Sequence, residues 1–564
     1  MLADARAFSD GHVLEADVCI VGGGPVGLVL ARELGEGFSI CVLESGSDDQ
    51  APQSALPGEA TGEPFEPLED GRARGQAGTA SIWNSEITRD GWGARYGLLQ
   101  ASDFERREHV PYSGWPFDLA HLVPYYDRAA TVCGLGPFED DPERWRVGAR
   151  ATPLDLGDEV ETRVVRYGPR SVFTEDFTAW SRAAQHVTIC LNARALEIRS
   201  DDSGRATSID AAASPGRTFG VRARVYVLAA GGIENPRLLL LSKGREPEGL
   251  GNRHDLVGRF FTDHPTAGYR LALASRETAR RLAFYDTLVR NDDIAQGALG
   301  LTDATLLREG VLNSGSIVAP EIDRQMQALA SAGTIAGALG SRSMPDGALE
   351  NLRRLGLGLD AVATSAARLA IEKAPVLEPV GRVWPTTRLL NTLGVGHISG
   401  WSRLPAAHLR YKAFAVFQMI ELAPEPERRI TLSSTRDEYG QPHPRLHWFI
   451  TEQERDSMRR TQEILGKALA RAGVGRLSGL EHPEVFPTAH HHLGTTRMHV
   501  DEKKGVLDEH SAVHGMSNLF VAGTSTFPTG GYINPTLTAV ALTIRLAERI
   551  KSIARSLPEP PVEA

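Results

Sequence analysis

Three consecutive histidines are the residues of this chain best suited to chemistry. His490, His491 and His492 lie in the segment TAHHHLGTTRM, residues 488–498. An imidazole can bind a metal ion or accept a proton, because its ordinary pKa of about 6.5 leaves it mostly neutral at pH 7. Consecutive residues of a strand point to opposite faces, and no carboxylate or cysteine stands nearby at ligand spacing. The sequence therefore predicts no metal site here.

A stretch near the N-terminus has the pattern of a nucleotide site. Residues 17–46, DVCIVGGGPVGLVLARELGEGFSICVLESG, predict strand, glycine turn, helix and strand, with Gly22, Gly24 and Gly27 at the G-x-G-x-x-G spacing. The first glycine permits a tight turn, the second lets a pyrophosphate approach, and the third allows close packing. Glu44 follows the second strand, where a carboxylate accepts hydrogen bonds from ribose and repels a 2′-phosphate. FAD or NAD is therefore predicted rather than NADP.

The C-terminal end has a second pattern that suits a cofactor. Residues 518–523, NLFVAG, predict a strand that ends at a glycine, and Pro535 stands at the first turn of a helix with one apolar face. The N-terminus of that helix would direct free N–H groups at an electron-rich group such as a reduced flavin.

The segment RARGQAGTASIWNSEITRDGWG, residues 72–93, is rich in small residues. Small side chains suit a backbone that approaches a large flat group, with Trp83 and Asn84 closing over it. An ordinary surface loop explains the composition equally well, so both interpretations stay open. Residues 47–73 are predicted to be a surface loop, because Pro, Gly, Glu and Asp are abundant there.

The remaining patterns predict where the first sheet resumes. Residues 187–198 have strand composition, and residues 226–230 predict a buried strand before a Gly-Gly pair and a helix. Such a unit often completes the first sheet. Further predicted elements are a helix within 112–138, helices at 322–338, 347–373 and 452–472, and strands at 414–422 and 429–434.

Composition limits the class of protein. The 564 residues, 41% of them hydrophobic, can bury two substantial cores. A net charge of −10 argues against nucleic acid or an anionic membrane as a partner. No uncharged apolar run reaches about 18 residues, so no transmembrane helix is expected. The N-terminus lacks a signal pattern, and Cys19 and Cys41 fall in predicted buried strands, so a cytoplasmic protein with reduced core cysteines is expected.

At several separated points the chain resembles the glucose-methanol-choline (GMC) oxidoreductases. The residues that carry the resemblance are GGGPVG with Glu44, RARGQAGTASIWN, SGWP, LAAGGIENPRLLLLS, VGRFFTDHP, HHLGTTRM and NPTLTA. The chain looks most similar to bacterial members related to pyranose oxidases and C-glycoside oxidases. The central region contributes little to the resemblance.

The resemblance implies an FAD enzyme that oxidises a CH–OH group to a carbonyl by hydride transfer to flavin N5. The family pattern H-x-x-G-T places the catalytic base on His491, with Asn534 as its partner and His492 as the main rival. The implied substrate is a sugar, glycoside or polyol-like alcohol, as in tailoring of an aminoglycoside-like natural product or in glycoside catabolism. Oxygen or another acceptor would recover the electrons, and self-association into a homo-oligomer is left open.

Two alternatives use the same fold. Some family members are lyases that cleave cyanohydrins without redox turnover. A flavin-binding protein without turnover is the other alternative, and the intact His491 and Asn534 count against it.

The resemblance also implies how FAD is held. Some pyranose oxidases attach FAD through a histidine of the glycine-rich loop, and Ile82 occupies that position here, so FAD is predicted to be non-covalent, with its ring against residues 78–81. The predicted cofactor-binding residues are Gly22, Gly24, Pro25, Val26, Gly27, Glu44, Arg74, Gly78, Thr79, Ser81, Ala193, Ala230, Gly523, Thr524, Asn534, Pro535 and Thr536.

The predicted fold class is α/β, or α+β overall. A Rossmann-like FAD-binding domain is interleaved with a substrate-binding domain of mixed sheet and helices. The predicted boundaries are 13–110, 161–265 and 486–554 for the FAD-binding domain, 111–160 for an interdomain segment, 266–485 for the substrate-binding domain, and 555–564 for a disordered tail.

Overall fold

The computed structural model describes residues 1–48, 56–83, 93–146, 151–290, 293–321, 331–335, 347–357, 401–403, 411–479 and 486–557. The strands are β1 (Leu2–Asp4), β2 (His12–Val21), β3 (Ile40–Leu43), β4 (Glu59–Gly62), β5 (Gly93–Tyr96), β6 (Val160–Pro169), β7 (Val187–Leu191), β8 (Arg194–Ser200), β9 (Ala206–Ser214), β10 (Arg217–Leu228), β11 (Thr266–Leu273), β12 (Thr287–Arg290), β13 (Asp293–Leu301), β14 (Ser314–Pro320), β15 (Ala413–Ile420), β16 (Arg429–Arg436), β17 (Pro442–Trp448), β18 (Gly475–Gly479) and β19 (Leu519–Val521). The helices include α1 (Pro25–Leu34), α2 (Ala101–Phe104), α3 (Leu119–Val132), α4 (Phe177–Ala183), α5 (Gly231–Leu241), α6 (Thr278–Arg281), α7 (Asp303–Glu309), α8 (Ala348–Leu357), α9 (Glu452–Arg471) and α10 (Thr536–Ile553).

The first sheet has the order β1-β7-β3-β2-β10-β9-β8, and β19 pairs with β10. The pairs from β1 to β10, and that of β10 with β19, are parallel, whereas β8 and β9 add an antiparallel edge. Val18, Ile20 and Val42 are fully buried, as expected of parallel strands covered on both faces. The predicted α/β class with a Rossmann-like first sheet is confirmed.

The carboxyl ends of the parallel strands define one edge of this sheet, where ligands of α/β proteins bind. β2 ends before Gly22, β3 before Glu44, and β19 shortly before Gly523. Ala193 and Ala230 follow β7 and β10 at the same edge. Residues that are far apart in the sequence are brought together in this way.

The second sheet has the order β18-β11-β15-β14-β13-β6-β5, with β12 paired to β13, and its pairs are antiparallel. Residues 93–96 and 161–169, which are predicted to lie in the FAD-binding domain, form β5 and most of β6 of this sheet. Local composition does not reveal the pairing of β6 with β13. The predicted domain boundaries stay predictions.

A third sheet, β16-β17-β4, corrects the loop predicted for residues 47–73. β4 pairs in parallel with β17, and Leu68 and Arg72 are buried, so the described part of that segment is packed into the protein. Residues 49–55 lie outside the described part.

The other predicted elements have mixed outcomes. The helix within 112–138 is α3, the helix at 452–472 is α9, and the two strands near 414–434 are β15 and β16. Most of the helices predicted at 322–338 and 347–373 lies outside the described residues, as does the tail from residue 558. Within the described ranges, no helix has the length and apolar character needed to cross a bilayer.

Candidate active site

The glycine turn after β2 has the geometry of a nucleotide-binding turn. Gly22 has a φ of +112°, and a Cβ there would lie 2.5 Å from the carbonyl oxygen of Ala229. A Cβ on Gly27 would lie 2.0 Å from the carbonyl oxygen of Gly22, so helix and turn pack at a distance that only glycine permits. A Cβ on Gly24 would meet no atom within 4 Å. Gly24 therefore faces open space, as its predicted contact with a pyrophosphate requires.

Most of the predicted cofactor-binding residues line one cavity of about 280 Å³ at the ligand edge of the first sheet. Gly27 and Ser81 are not among the lining residues, and the Ser81 hydroxyl donates to the Gly78 carbonyl oxygen at 2.8 Å. Asn534 precedes the lining residue Pro535. The predicted residues in the wall are Gly22, Gly24, Pro25, Val26, Glu44, Arg74, Gly78, Thr79, Ala193, Ala230, Gly523, Thr524, Pro535 and Thr536.

The segment after residue 72 contributes to this wall, which favours the cofactor interpretation of its small residues over that of a plain surface loop. Ala77, Gly78 and Ala80 are buried, and Trp83 lines the cavity. Asn84, the other residue expected to close over the cofactor, lies outside the described part.

α1, which starts after Gly24, and α10, which starts after Pro535, are two of the helices that begin at the cavity without a side-chain cap. The first N–H groups of a helix have no partner within the helix, and they carry the positive end of its dipole. Both helix ends can therefore bind an electron-rich group in the cavity.

Glu44 has a role that its position in the sequence does not reveal. Its Oε2 accepts the backbone N–H of Gly23 at 2.9 Å, and its Oε1 accepts those of Gly46 at 2.8 Å and Gly75 at 3.0 Å. The side chain is 5% exposed and lines the cavity. The carboxylate thus ties the glycine turn, the end of β3 and the loop at Gly75 together. Its predicted contact with ribose stays a prediction.

Arginine side chains add positive charge to the cavity wall. Arg72 and Arg237 each form an ion pair with Glu234, at 2.8 Å and 3.0 Å. Burial alone would raise the pKa of Glu234, but Arg237, Arg72 and Arg194 lower it to about 2. The buried Nε of Arg74 has no hydrogen-bond partner among the described residues. This excess of cations favours an anionic ligand such as a diphosphate.

His491 and Asn534 form the predicted pair. Nε2 of His491 lies 3.0 Å from Nδ2 of Asn534, and Nδ1 of His491 lies 2.8 Å from Nδ1 of His264. The Oδ1 of Asn534 accepts a hydrogen bond from Nε of Arg95 at 2.6 Å. Hydrogen bonds thus link four side chains in series, from β5 to the segment that precedes β11: Arg95, Asn534, His491 and His264.

Asp263 holds the backbone of both His264 and His491 in place. Its Oδ1 accepts the N–H of His264 at 2.6 Å and that of His491 at 2.8 Å. Bridges from Thr262 to Leu493 and from Pro265 to Thr488 hold the two segments side by side. Burial raises the pKa of Asp263 to about 6, although hydrogen bonds from the two histidine N–H groups oppose the rise.

Burial favours the neutral form of three imidazoles, those of His491, His264 and His492. Burial, followed by the neighbouring His264, Arg95, His492 and His490, keeps the pKa of His491 well below its ordinary value. Burial lowers the pKa of His264 to about 4 and that of His492 to about 3. A neutral imidazole has a lone pair, so His491 is ready to accept a proton.

His490 and His492, which flank His491 in the sequence, contact other residues. Nε2 of His492 lies 3.9 Å from Oδ2 of Asp263, and its ring packs against Phe261. Nε2 of His490 lies 3.2 Å from Oε2 of Glu66. Of the three consecutive histidines, His491 is the one bonded to Asn534. Within the described ranges, no cluster of three or more potential metal ligands occurs.

A second cavity, of about 230 Å³, lies beside Asn534 on the second sheet. Arg95, which donates to Asn534, is part of its wall, and so is Gln418, whose buried Oε1 has no partner among the described residues. The remaining lining residues are mostly apolar: Val165, Thr266, Ala298, Gly315, Ile317, Phe417, Met419, Tyr532 and Ile533.

Around His491 and Asn534, sequence reasoning missed Arg95, Asp263 and His264. Asp263 and His264 belong to the motif VGRFFTDHP, which carried the family resemblance but no role. Arg95 has no local signal, because it reaches Asn534 only through the pairing of β5 in the second sheet.

Comparisons with known proteins agree with this geometry. Residues 424–543, which include His491 and Asn534, match the C-terminal family model described as GMC oxidoreductase. The fructose dehydrogenase large subunit of Gluconobacter japonicus is 26% identical over 362 residues, or 64% of this chain and 53% of that protein. The C-glycoside 3-oxidase of Arthrobacter globiformis is 39% identical over 131 residues, or 22% of this chain and 24% of that protein. The matches thus span about half and about a quarter of the two relatives.

A solved structure of a formate oxidase variant from Aspergillus oryzae has the same fold. Its TM-score is 0.50 at 17% identity, and the match covers 98% of this chain and 100% of that chain. The C-terminal residues 424–543 thus match the GMC oxidoreductase family model, and the solved structure supports the same fold for the chain as a whole.

Proposed function

We propose that this chain is an FAD-dependent oxidoreductase that oxidises a CH–OH group of a sugar, glycoside or polyol-like substrate. The observation that carries the proposal is the contact of Nε2 of His491 with the amide of Asn534 at 3.0 Å. The contact supports the proposal, because a neutral imidazole can act as a base and the amide can donate a hydrogen bond to the same substrate oxygen, next to a cavity that suits a dinucleotide.

The residues present fit FAD. Gly24 leaves open space at the N-terminus of α1, and the arginines of the wall supply positive charge. Both suit a diphosphate. We propose that the residues lining this cavity hold FAD without a covalent bond, since Ile82 has no nucleophilic atom. FAD supplies the hydride acceptor of the reaction when it is bound.

The residues of the site include a group that can remove the proton of the substrate hydroxyl. A carbinol carbon releases hydride readily only when the hydroxyl proton also leaves. We assign proton removal to Nε2 of His491, because it has a lone pair at neutral pH and is held in place on both sides. Asn534 donates its amide to the substrate oxygen and stabilises the negative charge that develops there. Each role needs direct contact with the same oxygen, which the 3.0 Å separation of the two groups allows.

The second cavity is the proposed place of the substrate. It adjoins Asn534 through Arg95, and Oε1 of Gln418 can accept a hydrogen bond from a second hydroxyl. The names of the two relatives refer to fructose and to C-glycosides, which supports a carbohydrate-like substrate. Oxygen or another acceptor then recovers the electrons.

Anaerobic mixing tests this proposal. The yellow protein is mixed without oxygen with sugars, glycosides, aminoglycosides, polyols and aryl alcohols, and the flavin absorbance is followed. Bleaching by a carbohydrate-like alcohol, with one carbonyl formed per flavin reduced, is the expected result. The matched control is His491→Ala, which should bind FAD and fail to bleach at a comparable rate. Carbonyl release from a cyanohydrin with an unchanged flavin spectrum would instead identify a lyase.

A further inference from the structure

Arg95 lies directly behind the amide of Asn534. Its Nε donates to Oδ1 of Asn534 at 2.6 Å, and one terminal nitrogen donates to Sδ of Met419 at 3.2 Å. Arg95 comes from β5 and Met419 from β15, so the guanidinium is held by the second sheet. It also lies close enough to Tyr167 to oppose the rise that burial causes in the pKa of that residue. The position of the guanidinium is therefore determined by strands outside the cofactor cavity.

The chemistry of arginine determines how the amide of Asn534 is oriented. A guanidinium has five N–H donors and no acceptor, so the atom of Asn534 that faces Arg95 must be the carbonyl oxygen. The NH₂ group must then face His491, and it can only donate. Nε2 of His491 must therefore be the nitrogen without a proton.

The same reasoning extends to His264. With Nε2 of His491 unprotonated, the proton of the neutral ring is on Nδ1, and it is donated to Nδ1 of His264 at 2.8 Å. His264 then carries its own proton on Nε2, which lies near Gly530 and has no hydrogen-bond partner among the described residues. The hydrogen-bond pattern from Arg95 to His264 follows from the single fact that Arg95 cannot accept.

We propose that Arg95 is a positioning residue that fixes the amide of Asn534 and thereby keeps Nε2 of His491 as the proton-accepting nitrogen. This inference rests on the proposed function. Without Arg95, the amide could turn over, and its carbonyl oxygen would then select the His491 tautomer that carries its proton on Nε2. That tautomer cannot accept a proton from a substrate hydroxyl.

The charge of Arg95 has a second effect. A hydrogen bond from a cation to the amide oxygen polarises the amide, so its NH₂ becomes a better donor to the substrate oxygen. The positive charge also contributes to the lowering of the pKa of His491, after burial and His264. The other titratable groups that face His491 are His490, His492 and Asp263.

The first test compares Arg95→Met with Arg95→Lys in the FAD-loaded enzyme. Anaerobic flavin reduction is measured against pH and against the concentration of the best alcohol. Arg95→Met should lower the limiting rate about 10- to 100-fold, with the substrate Kd changed by no more than about threefold. The acid limb of its pH profile should move to higher pH, because removal of a nearby cation raises the pKa of His491. Arg95→Lys keeps the charge and should leave the acid limb in place.

Two outcomes of this test would overturn the inference. One is an unchanged limiting rate and pH profile in Arg95→Met. The other is a loss confined to substrate affinity, which would mean that the guanidinium binds a substrate group instead. Added guanidinium ion should partly restore the rate of Arg95→Ala, and failure of any rescue would also count against a positioning role.

The second test does not depend on turnover. Neutron diffraction from the oxidised, FAD-loaded enzyme shows which nitrogen of each imidazole carries hydrogen. Deuterium on Nδ1 of His491 and Nε2 of His264, with none on Nε2 of His491, is the expected result. Deuterium on Nε2 of His491 would overturn the inference. If no alcohol reduced the flavin, the proposed function would fail, and this measurement would still decide the role of Arg95.

Discussion

Replacement of Glu44 should destabilise the protein before any cofactor binds. Its carboxylate accepts three backbone N–H groups, from Gly23, Gly46 and Gly75, at 2.8–3.0 Å, and it is 5% exposed. In Glu44→Ala all three donors lose their partner within a buried region. Hydrogen bonds to a charged acceptor contribute about 1.5–3 kcal/mol each, so three of them sum to about 4.5–9 kcal/mol if they are additive. Neighbouring bonds are not additive, and a loss of at least about 3 kcal/mol is expected.

Glu44→Gln separates the contribution of the hydrogen bond from Gly23 from those of the bonds from Gly46 and Gly75. The amide oxygen can replace Oε1 and keep the bonds from Gly46 and Gly75, but the NH₂ group then opposes the N–H of Gly23. One bond is lost, so the expected loss is about 1.5–3 kcal/mol. The exposed residue Glu36, also on the first βαβ unit, provides a matched control as Glu36→Ala.

The assay is urea denaturation of the FAD-free protein, paired with titration of FAD into each variant. The order of stability should be wild type and Glu36→Ala, then Glu44→Gln, then Glu44→Ala. FAD affinity should fall about tenfold or more in Glu44→Ala. Unchanged denaturation with reduced affinity would refute the structural role and leave only a contact with ribose. An unchanged denaturation midpoint together with an unchanged FAD affinity would refute both proposed roles of Glu44, in stabilising the glycine turn and in binding FAD.

Three further predictions concern the cofactor and pH. Gly24→Val should fold and lose FAD, because the valine side chain would enter the open space at the cavity, and full FAD occupancy would contradict this. Gly27→Ala should instead lower the denaturation midpoint, because its Cβ would collide with the carbonyl oxygen of Gly22. Because burial lowers the pKa of His264 and His492 to about 4 and 3, the unfolded chain binds protons first as pH falls below about 6.5. The two histidines should therefore leave the denaturation midpoint unchanged above that pH and lower it between pH 6.5 and 4, whereas Asp263, whose pKa is raised to about 6, opposes that fall. The effect of His492 is measured as the difference from His492→Phe, and an identical pH dependence in the two proteins would argue against neutral burial of His492. Acid precipitation should release all yellow colour into the supernatant, since Ile82 cannot bond to FAD; a yellow washed pellet would contradict non-covalent binding.

Sequence alone predicted those parts of the site that depend on neighbours in the chain. The turn at Gly22 needs a positive φ and close packing, and both requirements leave a local pattern. The position of Glu44 at the end of β3 is also local. Its three backbone partners include Gly75, which is distant in sequence, so the role in tying loops together could not be predicted.

The contacts around His491 could not be predicted from the sequence, because they join segments that are far apart in it. His264 and Asp263 reach it because two irregular segments pair through isolated bridges, and Arg95 reaches Asn534 through the second sheet. Antiparallel pairing between distant segments leaves no periodic signal. The same lack of signal explains why the sequence does not predict that β6 pairs with β13.

The central claim is that His491 is the catalytic base. Its most direct test is the anaerobic rate of flavin reduction in His491→Ala beside His492→Ala, each loaded with FAD and mixed with the best alcohol. The account predicts a rate about 10² to 10⁴ lower in His491→Ala, with FAD still bound, and a rate within about threefold of wild type in His492→Ala. Near-normal reduction in His491→Ala with collapse in His492→Ala would move the base by one residue, and near-normal rates in both would contradict the proposed chemistry.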